Sequence, residues 1–256
     1  MLRSINETFG YRLGAKDGEI GRTKDYLFDD QFWTVRYMVA DTGTWLPGRR
    51  VLISPISLGE PRWREKAFPV WLTTQQIKEA PGVEEETPVS RHYEKQLVRY
   101  YGYPPYWIGP NTWGTFEAPF YPDARAMPDA RAMIDDDLFE KEAQDVDIHL
   151  RSAKEVIGYD IHATDGRVGH VEDFILDDEM WTLRYLVVDT RNWLPGRKVL
   201  ITPMWVELVE WLHRKVQVDL SVEEIKNSPP YDPAAPVNRE YEEQLYDFYG
   251  RPKYWK

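Results

Sequence analysis

The apolar positions of this chain alternate before they coil, and they do so twice. "DGEIGRTKDYLF" and "DGRVGHVEDFIL" each open on an Asp-Gly turn and then set apolar residues on every second position, the spacing of a half-buried strand. "WTVRYMVAD" and "WTLRYLVVD" alternate likewise and become continuously apolar toward their ends, as a strand covered on both faces would. The Asp-Asp-x-x-Trp link between the two stretches reads as a hairpin turn. Leu-Pro-Gly-Arg predicts the next corner as a type II turn, because Pro presets φ and Gly supplies a positive one. The corner returns the chain into "RRVLISP" and "RKVLITP", strands closed by Pro, with a further strand predicted near Ala67–Leu72 and Lys215–Leu220. Then the period changes. "LTTQQIKEAP" and "LSVEEIKNSP" predict short helices that start at Thr or Ser and stop at Pro. "VSRHYEKQLVRYYG" and "VNREYEEQLYDFYG" predict amphipathic helices with Ser90 and Asn238 as N-caps and Gly102 and Gly250 as terminators. Tyr93, Leu97 and Tyr101 share one helix face, as do Tyr241, Leu245 and Tyr249.

A shift of 148 aligns the two halves without a gap, Leu2-Arg3-Ser4 falling on Leu150-Arg151-Ser152 and Trp107 on Trp255. Between 13–55 and 161–203, 23 of the 43 pairs are identical, which marks a domain duplication, since solenoid repeats are much shorter. The expected organisation is therefore a repeat over 1–107, a linker over 108–149 and a second repeat over 150–256. The linker matches neither half, contains the small repeat "PDARAM-PDARAM", and ends acidic. A function common to both halves should lie on matched positions.

Charge and composition narrow the classes. Net charge is −11, distributed as +1 over 1–107, −7 over 108–149 and −5 over 150–256. No basic stripe is available for a phosphate backbone, so nucleic acid is not an expected partner. Cysteine is absent, which excludes disulfides, thiolate metal sites and a Cys nucleophile, and a cytoplasmic location fits. No apolar run is long enough for a membrane span.

The repeated strands resemble the PRC-barrel family, which is named for the cytoplasmic barrel of the photosynthetic reaction-centre H subunit and also supplies a domain of a ribosome-maturation factor. The resemblance rests on Asp-Gly-x-hydrophobic-Gly, the Asp-Asp turn, Arg-Tyr-x-Val-x-Asp-Thr and Trp-Leu-Pro-Gly-Arg-(Lys/Arg)-Val-Leu-Ile, and it covers roughly residues 5–80 and 153–228. It implies a mainly β chain with α elements: two small antiparallel barrels, each followed by C-terminal helices and related by a pseudo-two-fold axis. It also implies assembly and protein contact rather than catalysis. The chain departs from both relatives, having neither a membrane helix before the barrel nor the ribosome factor's other domain.

Candidate chemistry is sparse. His92, His149, His162, His170 and His213 have no histidine 148 residues away and no metal-binding spacing, so surface histidines are expected. Asp29-Asp30 and Asp177-Asp178 could pair as hydrolytic carboxylates, but adjacent strand residues face opposite ways, and a turn role is preferred. Asp41-Thr42 and Asp189-Thr190 end a strand and are read as binding backbone N–H groups. The corner carries the strongest signal: Trp45, Leu46, Arg49 and Arg50, with Trp193, Leu194, Arg197 and Lys198. It is read either as a contact surface or as Trp folding back to plug a barrel end, and the Arg pair either as binding an anionic group or, preferably, as closing an ion pair toward Asp41 or Asp189. The expectation is a non-catalytic interaction module with no cofactor and no metal, binding a protein partner, itself included. On this view the chain is a monomer with an internal pseudo-dimer or a homo-oligomer. A photosynthesis or electron-transfer accessory and a hydrolase are the alternatives.

Overall fold

The computed structural model describes residues 1–47, 49–84, 88–119, 149–190 and 197–255. The chain is mainly β with a few short helices. In the first half the strands are β1 (Leu2–Ser4), β2 (Arg12–Gly14), β3 (Glu19–Asp29), β4 (Thr34–Asp41), β5 (Arg49–Ile53), β6 (Ala67–Pro69) and β7 (Val83–Glu84), with helices α1 (Thr74–Glu79) and α2 (Arg91–Tyr101). From residue 150 they are β8 (Leu150–Ser152), α3 (Ala153–Val156), β9 (Asp160–Ala163), β10 (Gly166–Asp177), β11 (Thr182–Asp189), β12 (Lys198–Ile201), β13 (Val206–Glu210), β14 (Lys215–Val218), α4 (Val222–Asn227) and α5 (Arg239–Tyr249). Most of the second series repeats the first at an offset of 148. Among the described residues no helix is long and apolar enough to cross a membrane.

Two compact units result. The first is Thr8–Ser152 with Glu179–Trp181; the second is Met1–Glu7, Ala153–Asp178 and Thr182–Lys256. In the first unit the strand order is β6-β2-β3-β4-β5-β7, with β2 and β6 parallel and the remaining pairs antiparallel. The edge of β3 that carries β2 at one end carries β8 at the other, through Leu27↔Ser152, Phe28↔Arg151 and Asp29↔Leu150. The second unit runs β13-β14-β9-β10-β11-β12, and β1 takes the place of β8 through Leu2↔Asp177, Arg3↔Leu176 and Ser4↔Ile175.

The same local rules shape both. Asp29 caps the β3–β4 hairpin by accepting the Phe32 N–H (2.6 Å), and Trp33 and Trp181 close the two hairpins at positive φ (53° and 56°). That conformation is costly for a bulky side chain, and both indoles offset it by burial, with Trp33 stacked 5.2 Å from Phe28. Gly21 and Gly169 let a second backbone approach closely: a Cβ would stand 2.0 Å and 1.9 Å from the carbonyl oxygens of Asp41 and Asp189. Residues larger than glycine are sterically excluded there. The predicted caps are present. Thr73 and Ser221 form capping boxes with Gln76 and Glu224, Ser90 and Asn238 cap α2 and α5, and Gly102 and Gly250 end them in the left-handed conformation.

The expected closed barrels are corrected: the sheet is open. After β5 and β12, Pro55 and Pro203 supply no N–H to a ladder. Ser54 and Thr202 accept the N–H of Ile56 and Met204, and the chain winds into a single 3-10 turn at each place. It emerges beside the opposite end of the sheet. There the Ser57 carbonyl accepts from Trp71 and the Pro69 carbonyl from Gly59, while β13 pairs with β14.

The core of the first unit gathers Leu27, Tyr37, Val39, Leu52, Ala80, Val89, Tyr93, Leu97 and Leu150, with Tyr100 and Tyr101 packed against it. The predicted face of α2 therefore meets the sheet, each large apolar side chain contributing about 2 kcal/mol on burial. In α5, Leu245 and Tyr246 are fully buried while Tyr241 and Tyr249 are half-covered. The predicted linker begins differently from expectation. Trp113 is buried and donates its indole N–H to the Met180 carbonyl (3.0 Å), so residues 108–119 fold into the first unit. Residues 120–148, with the PDARAM pair and the acidic run, lie outside the described residues.

Candidate functional site

At the corner, Trp45 and Leu46 are both half-buried, neither plugging a core nor fully displayed. Thr42 donates to the Leu46 carbonyl (3.4 Å) and Asp41 accepts the Gly43 N–H (3.0 Å), which stiffens the approach to the turn. Trp193, Leu194 and both turn glycines, Gly48 and Gly196, lie outside the described residues.

The arginines do something other than expected. Arg49 directs its guanidinium to the carbonyls of Lys78 (2.7 Å), Ile77 (3.3 Å), Ala80 and Pro81, the open C-terminal end of α1. Arg197 makes the equivalent bond to the Ser228 carbonyl past the end of α4. A cation at a helix C-terminus meets both the orphan carbonyls and the negative end of the dipole. The expected ion pair toward Asp41 or Asp189 is thus replaced, at Arg49 and Arg197, by a helix cap. Lys198 pairs with Glu172 (2.8 Å), and Arg50 is half-buried.

The carboxylate pairs separate as strand geometry requires. Asp29, buried, accepts from Arg36 Nε (2.6 Å), and Asp177 accepts from Arg184 (2.9 Å). Their neighbours Asp30 and Asp178 bind Arg151 and Arg3, both at 2.9 Å. Arg36 also donates to the Thr112 carbonyl (2.7 Å) and lies over the rings of Tyr106 (3.9 Å) and Trp113 (4.8 Å). Arg184 lies over Tyr254 at 4.3 Å.

Around those rings stands a cluster that the strand and helix patterns did not single out. Glu94 is wholly buried on α2; it accepts from Tyr106 Oη (2.7 Å), ion-pairs with Arg91 (3.1 Å) and lies 3.2 Å from His149 Nε2. Its counterpart Glu242 accepts from Tyr185 (2.7 Å) and Tyr254 (2.8 Å) and pairs with Arg239 (3.1 Å). Arg91 lies over Trp107 (4.2 Å) and Arg239 over Trp255 (4.1 Å). Burial, reinforced by the glutamate charge, pushes the phenols of Tyr106 and Tyr37 far above the usual range. Burial, then Tyr246 and Glu242, does the same to Tyr185. Tyr106 donates to Glu94, and Tyr185 and Tyr254 to Glu242, so that each glutamate is held by a phenol donor and a guanidinium. A signal was present in the sequence: Arg91, Glu94, Tyr106 and Trp107 recur identically as Arg239, Glu242, Tyr254 and Trp255.

The remaining histidines are scattered. His92 contacts Gln96 (2.9 Å) and His213 pairs with Glu210 (2.9 Å), both on the surface, and His162 and His170 are half-buried. Among the described residues no group of three His, Asp or Glu side chains is placed to hold a metal.

Unmatched chemistry lies on the outside. A groove of about 510 Å³ along β2 and β6 is lined by Arg12, Lys16, Glu19, Arg62, Glu65 and the exposed Trp71. The same positions in the second repeat are Asp160, Thr164, Arg167, Glu210, His213 and Asp219, largely reversed in charge. The second unit instead exposes Met204, Leu208 and Leu212 along and beside β13. Neither a family model nor a curated protein matches this chain.

Proposed function

We propose that the chain is a non-catalytic interaction module, a tandem of PRC-type units whose surfaces bind a protein partner. One observation carries the reading. The matched charged residues (Arg36 and Arg184, Arg49 and Arg197, Glu94 and Glu242, Asp29 and Asp177) all close contacts inside their own unit. Several of the positions that differ between the repeats are exposed: the charge-reversed groove, Trp71, Leu208 and Leu212. A duplicated frame with diverged outer faces fits selection on contact rather than on a shared reaction. The half-covered Trp45 and Leu46 offer the aromatic and aliphatic surface that interfaces favour, on a turn stiffened by its own hydrogen bonds.

Affinity capture with the full chain from its native cells tests this, comparing the unsubstituted chain with Trp45→Ala. The expected result is a discrete partner, depleted by Trp45→Ala at unchanged unfolding midpoint. Capture of no partner at all, or an equal yield with both chains, would refute the use of this corner.

A further inference from the structure

We propose that the two Leu-Arg-Ser arms are interchangeable added strands, so that the slot on β10 or β3 accepts the arm of a second copy of this chain and copies associate by arm exchange. The inference is independent of the partner surface argued above.

The two slots are built alike. On β10, Arg3 donates to Asp178 (2.9 Å), Ser4 to Asp173 (2.5 Å), and the Met1 carbonyl accepts the Asp178 N–H (3.0 Å). On β3, Arg151 donates to Asp30 (2.9 Å), Ser152 to Asp25 (2.5 Å), and the His149 carbonyl accepts the Asp30 N–H (3.1 Å). The arms have the same sequence, the receiving aspartates are identical across the repeat, and the ladders use equivalent strand positions. Each slot thus receives its Arg and its Ser on an equivalent pair of aspartates.

Connectivity makes both arms exchanged strands. Leu2–Ser4 belongs to the second unit, yet Glu7 is followed directly by Thr8 of the first. Leu150–Ser152 belongs to the first unit, yet it runs without a break into Ala153 of the second. A strand joined by a short hinge to a unit other than the one that holds it is the arrangement from which domain swapping between copies starts. An empty slot would also leave the β10 edge at Ile175–Asp177 unpaired, open to strand addition. The tether keeps a chain's own arm at high effective concentration, so exchange between copies is expected when chains refold together at high concentration.

The absence of cysteine from the chain makes a disulfide trap clean. Arg3 and Leu176 face each other in the ladder. A chain carrying both Arg3→Cys and Leu176→Cys should oxidise to an internal 3–176 disulfide. Failure to do so would show that the arm does not occupy the slot and would overturn the proposal. Chains carrying one substitution each are then mixed, unfolded, refolded together at high concentration and oxidised. The expected product is a 3–176 disulfide between copies, identified by peptide mass spectrometry in a species of twice the chain mass. It should be absent when Leu212→Cys, on the open surface, replaces Leu176→Cys. Should the doubly substituted chain close internally while the mixture yields no more linked dimer than that control, arm exchange is excluded. If Arg3→Cys prevents folding, Ser152→Cys with Leu27→Cys reports on the other slot and is read the same way.

Discussion

Arginine does the quiet structural work in this protein, and its placement gives the sharpest expectations for single residues. Arg36 sits with side-chain exposure of 1% against Asp29 at 4%, whereas Arg184 and Asp177 are 21% and 15% exposed. Removing one partner of a buried pair strands the other charge, at a cost of about 3–5 kcal/mol. Arg36→Ala should therefore lose about that much in urea denaturation, and Arg184→Ala at most about half, although the two residues are sequence equivalents. Equal losses would mean that solvent screens both pairs alike. Arg49→Ala should cost about 1.5–3 kcal/mol, the range for hydrogen bonds made by a charged group. Arg49→Lys should recover little of it, since one ammonium cannot serve the several carbonyls that a planar fork reaches. Full rescue by lysine would reduce the site to a charge effect.

At the scale of strands and helices, the Leu-Arg-Ser arms expose a titration. Burial, opposed by hydrogen bonds from Ser4, Phe174 and Asn6, raises the Asp173 carboxyl from 3.8 to about 6. Between those values the folded chain holds a proton that the unfolded chain has released, so this group's contribution to stability falls as pH rises from about 4 to about 6. Two units correspond to about 3 kcal/mol. Asp173→Asn removes the titration while keeping a polar partner for Ser4. Urea midpoints measured at about pH 4.5 and about pH 7 should show the unsubstituted chain losing ground to Asp173→Asn at the higher pH. A pH-independent difference between the two would show that Asp173 titrates normally. The arms also mark what the sequence could and could not disclose. Long strands, hairpin turns and helix caps were legible because alternation, Asp-Gly, and Thr or Ser before a helical run act locally. A three-residue strand has too little period to read, and its ladder partners stand more than 100 residues away in the chain. The role of Arg49 was hidden for another reason: its acceptors are backbone carbonyls, which carry no side-chain signature. Pro55 and Pro203 were legible as strand ends, but the 3-10 turns that follow depend on Ser54 and Thr202 bonding back to the next turn. The buried Glu94 cluster was within reach, since the identity of Arg91, Glu94, Tyr106 and Trp107 with their counterparts matches that of the strands.

For the molecule as a whole, the order of residues along the chain and the membership of compact units disagree, and that disagreement can be measured. Leu150 opens the second sequence repeat, yet it packs with Leu27, Tyr37, Leu52, Tyr93 and Leu97 of the first. Ile5, from the first repeat, is fully buried and donates its N–H to the Phe174 carbonyl (3.0 Å) within the second unit. Truncating a buried leucine to alanine costs about 2–5 kcal/mol because transfer energy and a cavity add together. The cost appears where the contacts are, whatever the sequence position of the substituted residue. Amide hydrogen exchange resolves this by region, since local opening follows local stability. Leu150→Ala should accelerate exchange in β3, β4 and α2 and leave β10, β11 and α5 near their unsubstituted rates. Ile5→Ala should do the reverse, loosening β10 while sparing α2. If each substitution instead loosened only the repeat in which it is written, the arms would be folded back on their own sequence neighbours, and the division into these two units would be wrong.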